Sequence, residues 1–294
     1  MTSSSKDIIK KPARLIKPYV IAIPSYQRPA MLFKKTVTTL AKLLQRLPSI
    51  YIFLANDTEL ANYQEEYKTF IQHHHNFARA IKFVIGVPGL VAQRNFIMNW
   101  FQPGQYIIGM DDDVEGFYKL NTHGNPTYKG RRTWTLDHLA PGELDQIITE
   151  GFNKLEEQGA HLWGIYPVDN PYFMNAGVSA DLKFIVGPFY GVINRPELAL
   201  TTPAKNNVER TLQNYKVDGK VIRFNYITLR TQYYKNKGGL QAVNKGNNRR
   251  TKAQAATDYL HTKYPEYTVI KTTKKNKWPE LKLVNKTKKK RISE

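Results

Sequence analysis

Apolar residues along this chain come in short blocks that alternate between two spacings, one suited to strands and one to helices. Tyr19 to Ile23 (YVIAI) is a continuous apolar run between Pro18 and Pro24 and predicts a short buried strand. After the polar turn SYQRP, residues Leu32, Thr36, Thr39, Leu40, Leu43 and Leu47 recur at intervals of three and four, which predicts a helix from Pro29 to about Leu47. Pro29 suits its first turn, where a missing N–H has no partner to lose. Ile50 to Leu54 predicts a second strand, and Asn56 and Asp57 offer caps for a helix running towards Phe70. A strand at Ile81 to Ile85, a glycine turn at Gly86 and Gly89, a helix from about Leu90 to Phe101 and a strand from Gln105 to Met110 complete the series. Four strands alternating with helices predict an α/β fold with a mainly parallel sheet flanked by helices. Ligands of such sheets sit at the carboxyl ends of the strands.

Beyond Met110 the pattern loosens. Pro141 to Gln158 predicts a helix, His161 to Tyr166 a strand, Lys183 to Ile193 one or two more, and Asn206 to Tyr215 a short helix. The Asp218-Gly219 pair either closes that helix or turns a hairpin, and Val221 to Tyr234 is β-prone. Arg249 to Lys263 has helical spacing through Ala253, Ala256 and Leu260, and two strand-like pieces, Tyr267 to Ile270 and Leu281 to Val284, lie in a lysine-rich tail. The expected organisation is a flexible start over residues 1–15, one α/β domain over 16–240, and a small basic α+β extension over 241–294.

Composition narrows the class. With 13 Phe, 18 Tyr and 4 Trp in 294 residues, whole-chain disorder is excluded. The absence of cysteine removes disulfides, thiolate metal sites and cysteine nucleophiles together. The longest weakly polar run, Phe184 to Ile193, is about half the ~20 residues a membrane span needs, so no membrane partner is expected. The formal net charge is +20, and the stretch from Thr231 to the end holds 17 Lys or Arg against 4 acids. Such an excess commonly accompanies a polyanion, and its bland counterpart is a solvated basic tail.

The most informative stretch is QYIIGMDDDVEGF, Gln105 to Phe117, where an apolar strand delivers three consecutive carboxylates to its exit. Their repulsion is relieved most simply by a cation between them. Asp111 and Asp113, two apart, point to one side of an extended chain, and hard ions such as Mg2+ or Mn2+ take oxygen ligands of this kind. The alternative is an acidic turn capping the next helix, with Asp113 as its N-cap. Arg94 and Asn95 lie inside the helix that opens at Gly89, and Ser25 and Arg28 follow the first strand, so all would approach the same sheet edge. His73, His74 and His75 are adjacent on a polar helix, point in different directions and read as solvated surface. KNKGGLQ lacks the GK[ST] of a phosphate loop, which argues against an ATPase.

The ordered set IAIPSYQRP, GLVAQRNF and YIIGMDDDV resembles the nucleotide-sugar-binding half of GT-A glycosyltransferases. With KFIVGPFYGVINRP, VERTLQNYKVDGKVIRFNYI and the KGGL turn, the run from Tyr19 to Leu240 is similar to the TET-associated glycosyltransferases, known mainly from phages. The resemblance implies a GT-A-like, Rossmann-like fold, a nucleotide-sugar donor (a UDP-sugar first among them), Mn2+ or Mg2+, and an acceptor hydroxyl on hydroxymethylated pyrimidines in double-stranded DNA. It implies a cytoplasmic enzyme, in the host's cytoplasm if the gene is phage-borne. Pro24, Ser25 and Arg28 then match the donor-nucleotide loop, Arg94 the donor's base or phosphates, and Asp111 and Asp113 the metal motif. Asp111 stands nearer the ribose, and Asp112 joins the donor set. Glu209, at a helix start, is the candidate catalytic base, although such sites often read Glu-Asp where this chain has Glu-Arg; Asp181 is the reserve.

For a DNA acceptor the expected phosphate-binding residues are Lys271, Lys274, Lys275 and Lys277, then Lys288, Lys289, Lys290 and Arg291, with Arg131 and Arg132 in a loop beside Tyr128 and Trp134. Two other readings stay open at this point. One is a GT-A enzyme acting on a protein, lipid or polysaccharide, and the other is a catalytically inactive DNA-binding module.

Overall fold

The computed structural model describes residues 17–122, 127–128, 131–132, 134–231, 248–271 and 279–285. Eight strands form the central sheet: β1 (Tyr19–Pro24), β2 (Ser49–Leu54), β3 (Ile81–Ile85), β4 (Tyr106–Met110), β9 (Leu162–Ile165), β10 (Val178–Asp181), β11 (Phe189–Ile193) and β12 (Val221–Phe224). Their spatial order is β10-β12-β9-β11-β4-β1-β2-β3. The half made of β4, β1, β2 and β3 is parallel throughout. β11 is antiparallel to both β4 and β9, β12 is parallel to β9, and β10 returns antiparallel along the edge. From β1 the chain proceeds outwards to β2 and β3 and then crosses back to β4 on the other side. The carboxyl ends of β1 and β4 therefore flank a topological switch point, where an open α/β sheet leaves a crevice.

Alternation along the strands sorts the core into two layers. Ile21, Ile23, Ile50, Ile52, Ile108 and Met110 face α1 (Pro29–Leu32), α2 (Thr38–Leu43), α3 (Asp57–Ala78) and α5 (Glu143–Gln158). Ala22, Phe53 and Ile107 face α4 (Leu90–Trp100), α6 (Asn206–Asp218) and α7 (Asn248–Lys263). Leu260 and Tyr264 share that second layer with Leu212 and Tyr215 of α6, so the end of α7 packs into the same core. The hairpin of β14 (Thr268–Lys271) and β15 (Glu280–Leu283) follows, and Asn285 Nδ2 donates to Tyr215 Oη at 2.6 Å.

Several expectations from the sequence are changed. The first helix ends at Leu43 and carries a π turn, Phe33–Val37, between α1 and α2. α3, expected to run towards Phe70, continues past it to Ala78. Asp218-Gly219 closes α6: Gly219 adopts φ +68° and its N–H donates to Tyr215 O at 2.8 Å. Lys183–Ile193, expected to hold one or two strands, holds one, Phe189–Ile193. A second sheet places β5 (Val114–Asn121) between β13 (Ile227–Thr231) and β8 (Thr135–His138). β5 carries no strand signal that stands out beside the acidic run before it. Thr127–Tyr128 and Arg131–Arg132 form a two-stranded pair, β6 and β7, of which only the backbone is described. Lys274, Lys275, Lys277, Lys288, Lys289, Lys290 and Arg291 lie outside the described residues. No helix among the described residues is long and apolar enough to cross a membrane.

Candidate active site

The acidic run leaves β4 at the switch point, and each of its carboxylates meets a different environment. Asp112 is buried: Ser25 Oγ donates to its Oδ2 at 2.5 Å and Arg28 Nη1 to its Oδ1 at 3.0 Å. Burial pushes its pKa up to about 6, against the pull of the Arg28 charge and the Ser25 hydroxyl. Both of its oxygens are engaged in fixing the loop after β1 to the loop after β4. Tyr63 of α3 completes this anchor. Its hydroxyl lies 2.6 Å from Ser25 Oγ and accepts from Arg28 N at 3.1 Å. Gln27 is held at φ +56°, a conformation uncommon for a residue with a side chain, and its N–H donates to Glu59 Oε2 at 2.7 Å.

The π turn also has a local purpose. It brings Thr36 to the acidic loop, where Thr36 Oγ1 donates to Asp111 O at 3.0 Å and accepts from Val114 N at 3.0 Å. One hydroxyl thus closes both ends of the Asp111–Asp113 turn. Single π turns inside α-helices recur at functional positions for this kind of reason.

Asp111 and Asp113 remain the accessible pair. Asp111 Oδ1 accepts from Arg94 Nη2 at 3.2 Å, and about a third of the Asp111 side chain is exposed. Burial raises its pKa, Arg94 opposes that, and the neighbouring Asp113 charge raises it again. Asp113 Oδ1 accepts from Thr231 Oγ1 at 2.8 Å, and its Oδ2 lies 3.5 Å from Arg28 Nη1. Two repelling carboxylates, partly desolvated and offering only oxygen, fit a hard divalent ion. No group of three or more His, Asp or Glu able to hold a metal occurs among the described residues, so the remaining ligands would come from water or substrate phosphates.

Arg94, almost wholly buried on α4, ties this pair to α6. Its Nη1 donates to Asn206 Oδ1 and to Asn207 Oδ1, the latter at 2.8 Å. Lys205, at φ +56°, precedes them and starts α6 at this spot. Pro24, Arg94, Gly109, Asp111, Gly187 and Tyr190 line a small cavity at the end of β1 and β4. The Tyr190 ring lies where any side chain on residue 109 would have to go, so the cavity depends on Gly109.

The two candidate bases have partners of their own. Glu209 is fully buried, with Oε2 accepting from Thr201 N at 2.8 Å, Thr202 N at 3.0 Å and Thr202 Oγ1 at 3.2 Å. Its Oε1 accepts from Thr201 Oγ1 at 2.5 Å and lies 3.6 Å from Lys263 Nζ. Burial alone would raise its pKa, but these hydrogen bonds and the Lys263 charge hold it below the ordinary glutamate value. Asp181 ends β10, and its register partner Val221 begins β12. β12 runs parallel to β9, so Asp181 lies at the sheet edge opposite the Asp111–Asp113 turn. There Tyr215 Oη donates to its Oδ1 at 3.3 Å.

The fold gathers Ser25, Arg28, Arg94, Asp111, Asp112 and Asp113 in one place, as their positions at strand exits and helix starts predict. It adds Thr36, Tyr63, Asn206, Asn207 and Thr231, which sequence reasoning missed. The consecutive Asn206-Asn207 at a helix start was the one local signal available, and the rest act through pairings far apart in the chain. Lys271, among the expected DNA-binding residues, sits on the β14–β15 hairpin 3.4 Å from Glu280.

No protein-family model matches the chain, and no curated protein matches it. Solved structures with a similar course of the chain include three glycosyltransferases. TarS 1–349 from S. aureus, in complex with UDP-GlcNAc, aligns over 83% of this chain and 67% of its own at 10% identity, with a TM-score of 0.49. The mannosyltransferase PcManGT from Pyrobaculum calidifontis, in complex with GDP-Man and Mn2+, aligns over 87% and 68% at 11% identity, also with a TM-score of 0.49. GalNAc-T7 with UDP, GalNAc and Mn2+ aligns over 85% and 50% at 12% identity, with a TM-score of 0.47. Likeness at this level carries nothing about activity, which has to be argued from the side chains.

Proposed function

We propose that the chain is a divalent-metal-dependent glycosyltransferase that takes a sugar from a nucleotide-sugar donor, a UDP-sugar first among them. The acceptor in this reading is the hydroxyl of hydroxymethylated pyrimidines in DNA. The observation that carries the transferase reading is the Asp111–Asp113 pair, presented at the switch point of the sheet and tied through Arg94 to the start of α6. Asp111 and Asp113 would hold Mn2+ or Mg2+. When bound, such an ion supplies positive charge where negative charge develops on a departing diphosphate.

This chain's own residues do the rest. Thr36 fixes the turn that aims the two carboxylates, and Thr231 orients Asp113. Ser25, Arg28 and Tyr63 lock the β1 loop against Asp112, which holds one wall of the crevice in place before any ligand arrives. Such preorganisation is what makes charge stabilisation effective. Glu209 holds the Thr201–Thr202 segment to the first turn of α6 and so keeps Asn206 and Asn207 on Arg94. In this reading it is a structural carboxylate.

The DNA acceptor is supported by the net charge of +20 and by its concentration after Thr231. Lysines and arginines bind phosphates without reading sequence, and counterion release supplies affinity. The deciding experiment incubates the protein with Mn2+, a panel of nucleotide sugars and plain, 5-hydroxymethylcytosine or 5-hydroxymethyluracil DNA, read by nucleoside mass spectrometry. A sugar mass gained only on a hydroxymethylated base is the expected result. Donor hydrolysis with no transfer to any DNA would overturn the acceptor, and DNA binding with no donor turnover would overturn the enzyme.

A further inference from the structure

Behind Arg94 a second, small cleft opens between α4, β11 and α6. Arg94, Tyr190, Arg195, Arg210 and Asn214 are among its walls, and no acidic residue lines it among the described residues. Arg94 already serves Asp111, Asn206 and Asn207, as described above. Arg195 spends Nη2 on Asp218 at 2.6 Å and leaves Nη1 without a hydrogen-bond partner.

Arg210 is the unusual member. It is 7% exposed, its guanidinium lies over the Tyr190 ring at 3.4 Å, and Nη2 donates weakly to Val186 O at 3.3 Å. Nε and Nη1 have no partner, and no carboxylate forms an ion pair with the guanidinium among the described residues. A buried guanidinium is ordinarily paired, and the carboxylate whose charge reaches Arg210, Asp111, already accepts from Arg94. Asn214, 3% exposed, donates to Arg210 O at 2.9 Å and leaves Oδ1 unpartnered in the same cleft.

We propose that this cleft is a phosphate-binding pocket, in which the free Nε and Nη1 of Arg210 grip two oxygens and Arg195 Nη1 a third. Planar, fork-shaped donors match a tetrahedral oxyanion in this way. Asn214 Oδ1 accepts a hydrogen bond from the hydroxyl that a hydrogen phosphate carries at neutral pH. The phosphate group comes either from inorganic phosphate or from the diphosphate of the proposed donor, since this cleft and the cavity at Asp111 share Arg94, Met98 and Tyr190. The pocket stands independently of glycosyl transfer.

The test is thermal unfolding of the full chain in sodium phosphate against sodium chloride of equal ionic strength, without metal or nucleotide. Wild type should gain about 5 °C at a phosphate concentration 100-fold above Kd. Asp113→Ala should gain as much. Arg210→Met should lose the gain and melt, without phosphate, at or above the wild-type temperature, because it removes an unpaired buried charge; a merely structural arginine would melt lower on removal. Should Arg210→Met not fold, Arg210→Lys decides, with phosphate affinity reduced at least about tenfold for want of the fork. Absence of a phosphate-specific gain in wild type, or its survival in the Arg210 variant that folds, would overturn the proposal. Competition between UDP and phosphate would mark the diphosphate as the occupant, and additive stabilisation would mark free phosphate. A failure of UDP to bind at all would count against the transferase reading and leave the phosphate result standing.

Discussion

Glu209 offers the sharpest separation between a chemical and a structural carboxylate. Its two oxygens accept from two backbone N–H groups and two hydroxyls, all with distances between 2.5 and 3.2 Å, inside a site with no solvent exposure. Glu209→Ala leaves the N–H groups of Thr201 and Thr202 without an acceptor. At ~1–3 kcal/mol for each buried group left unsatisfied, the expected loss is about 3–5 kcal/mol, a large share of a typical domain's stability. Glu209→Gln is the informative partner. Its amide oxygen can still serve both N–H groups, while its amide nitrogen faces Thr201 Oγ1, a hydroxyl able to turn and accept with Tyr259 Oη 3.0 Å away. The expected cost is therefore about 1–2 kcal/mol, chiefly the weaker charge–dipole and Lys263 attraction.

The sign of the pH effect follows from the lowered pKa. The folded state binds this proton less readily than the unfolded chain, so the carboxylate's contribution is present above the ordinary glutamate pKa and is lost as pH falls through the folded value. The assay is urea unfolding of wild type and both variants from pH 3 to 7, beside transfer rates for the variants that fold. Glu209→Gln should keep transfer within about tenfold of wild type and should lack part of the acid-side loss of stability. If Glu209→Gln keeps the wild-type urea midpoint but loses transfer by about 10^2–10^4, the size of a general-base contribution, the structural assignment is refuted.

Three further outcomes follow from the geometry. Asp113→Ala should abolish Mn2+-dependent binding of the nucleotide-sugar donor in calorimetry, and undiminished affinity at saturating Mn2+ would remove the metal assignment. Truncation after Asn285 spares the β14–β15 hairpin and the Asn285–Tyr215 hydrogen bond while removing Lys286, Lys288, Lys289, Lys290 and Arg291. It should lower the slope of log K against log salt for DNA by about 0.9 for each phosphate no longer neutralised, and an unchanged slope would make the tail a solvated end. Burial and the Arg195 charge lower the pKa of His161, with Asp218 opposing them. The unfolded chain therefore takes up this proton first, so stability should decline as pH falls through the ordinary histidine value near 6.5, and His161→Asn should flatten that part of the profile.

What the chain alone determined is what local physics can determine. The continuous apolar runs at β1, β2, β3 and β4, and the helical spacing between them, reflect side-chain periods of two and 3.6 that any few turns of sequence express. Asp111 and Asp113 were legible because like charges at the exit of an apolar strand are anomalous wherever they occur. Gly219 shows the limit of such signals: Asp-Gly suited a helix end and a hairpin equally, and the packing of α6 chose the former. Only the tertiary structure decided which groups meet. Thr231 reaches Asp113 across 118 residues and Arg94 reaches Asn206 across 112, through strand pairings and helix packing that no short window encodes. The same holds for the two candidate bases. Glu209 stands at a helix start, but the four donors that surround it come from Thr201 and Thr202, and the antiparallel return of β10 carries Asp181 to the end of the sheet opposite the Asp111–Asp113 turn. A residue type announces what chemistry it can do, but whether its charge is exposed to a ligand or consumed by the fold depends on partners that arrive from elsewhere in the chain.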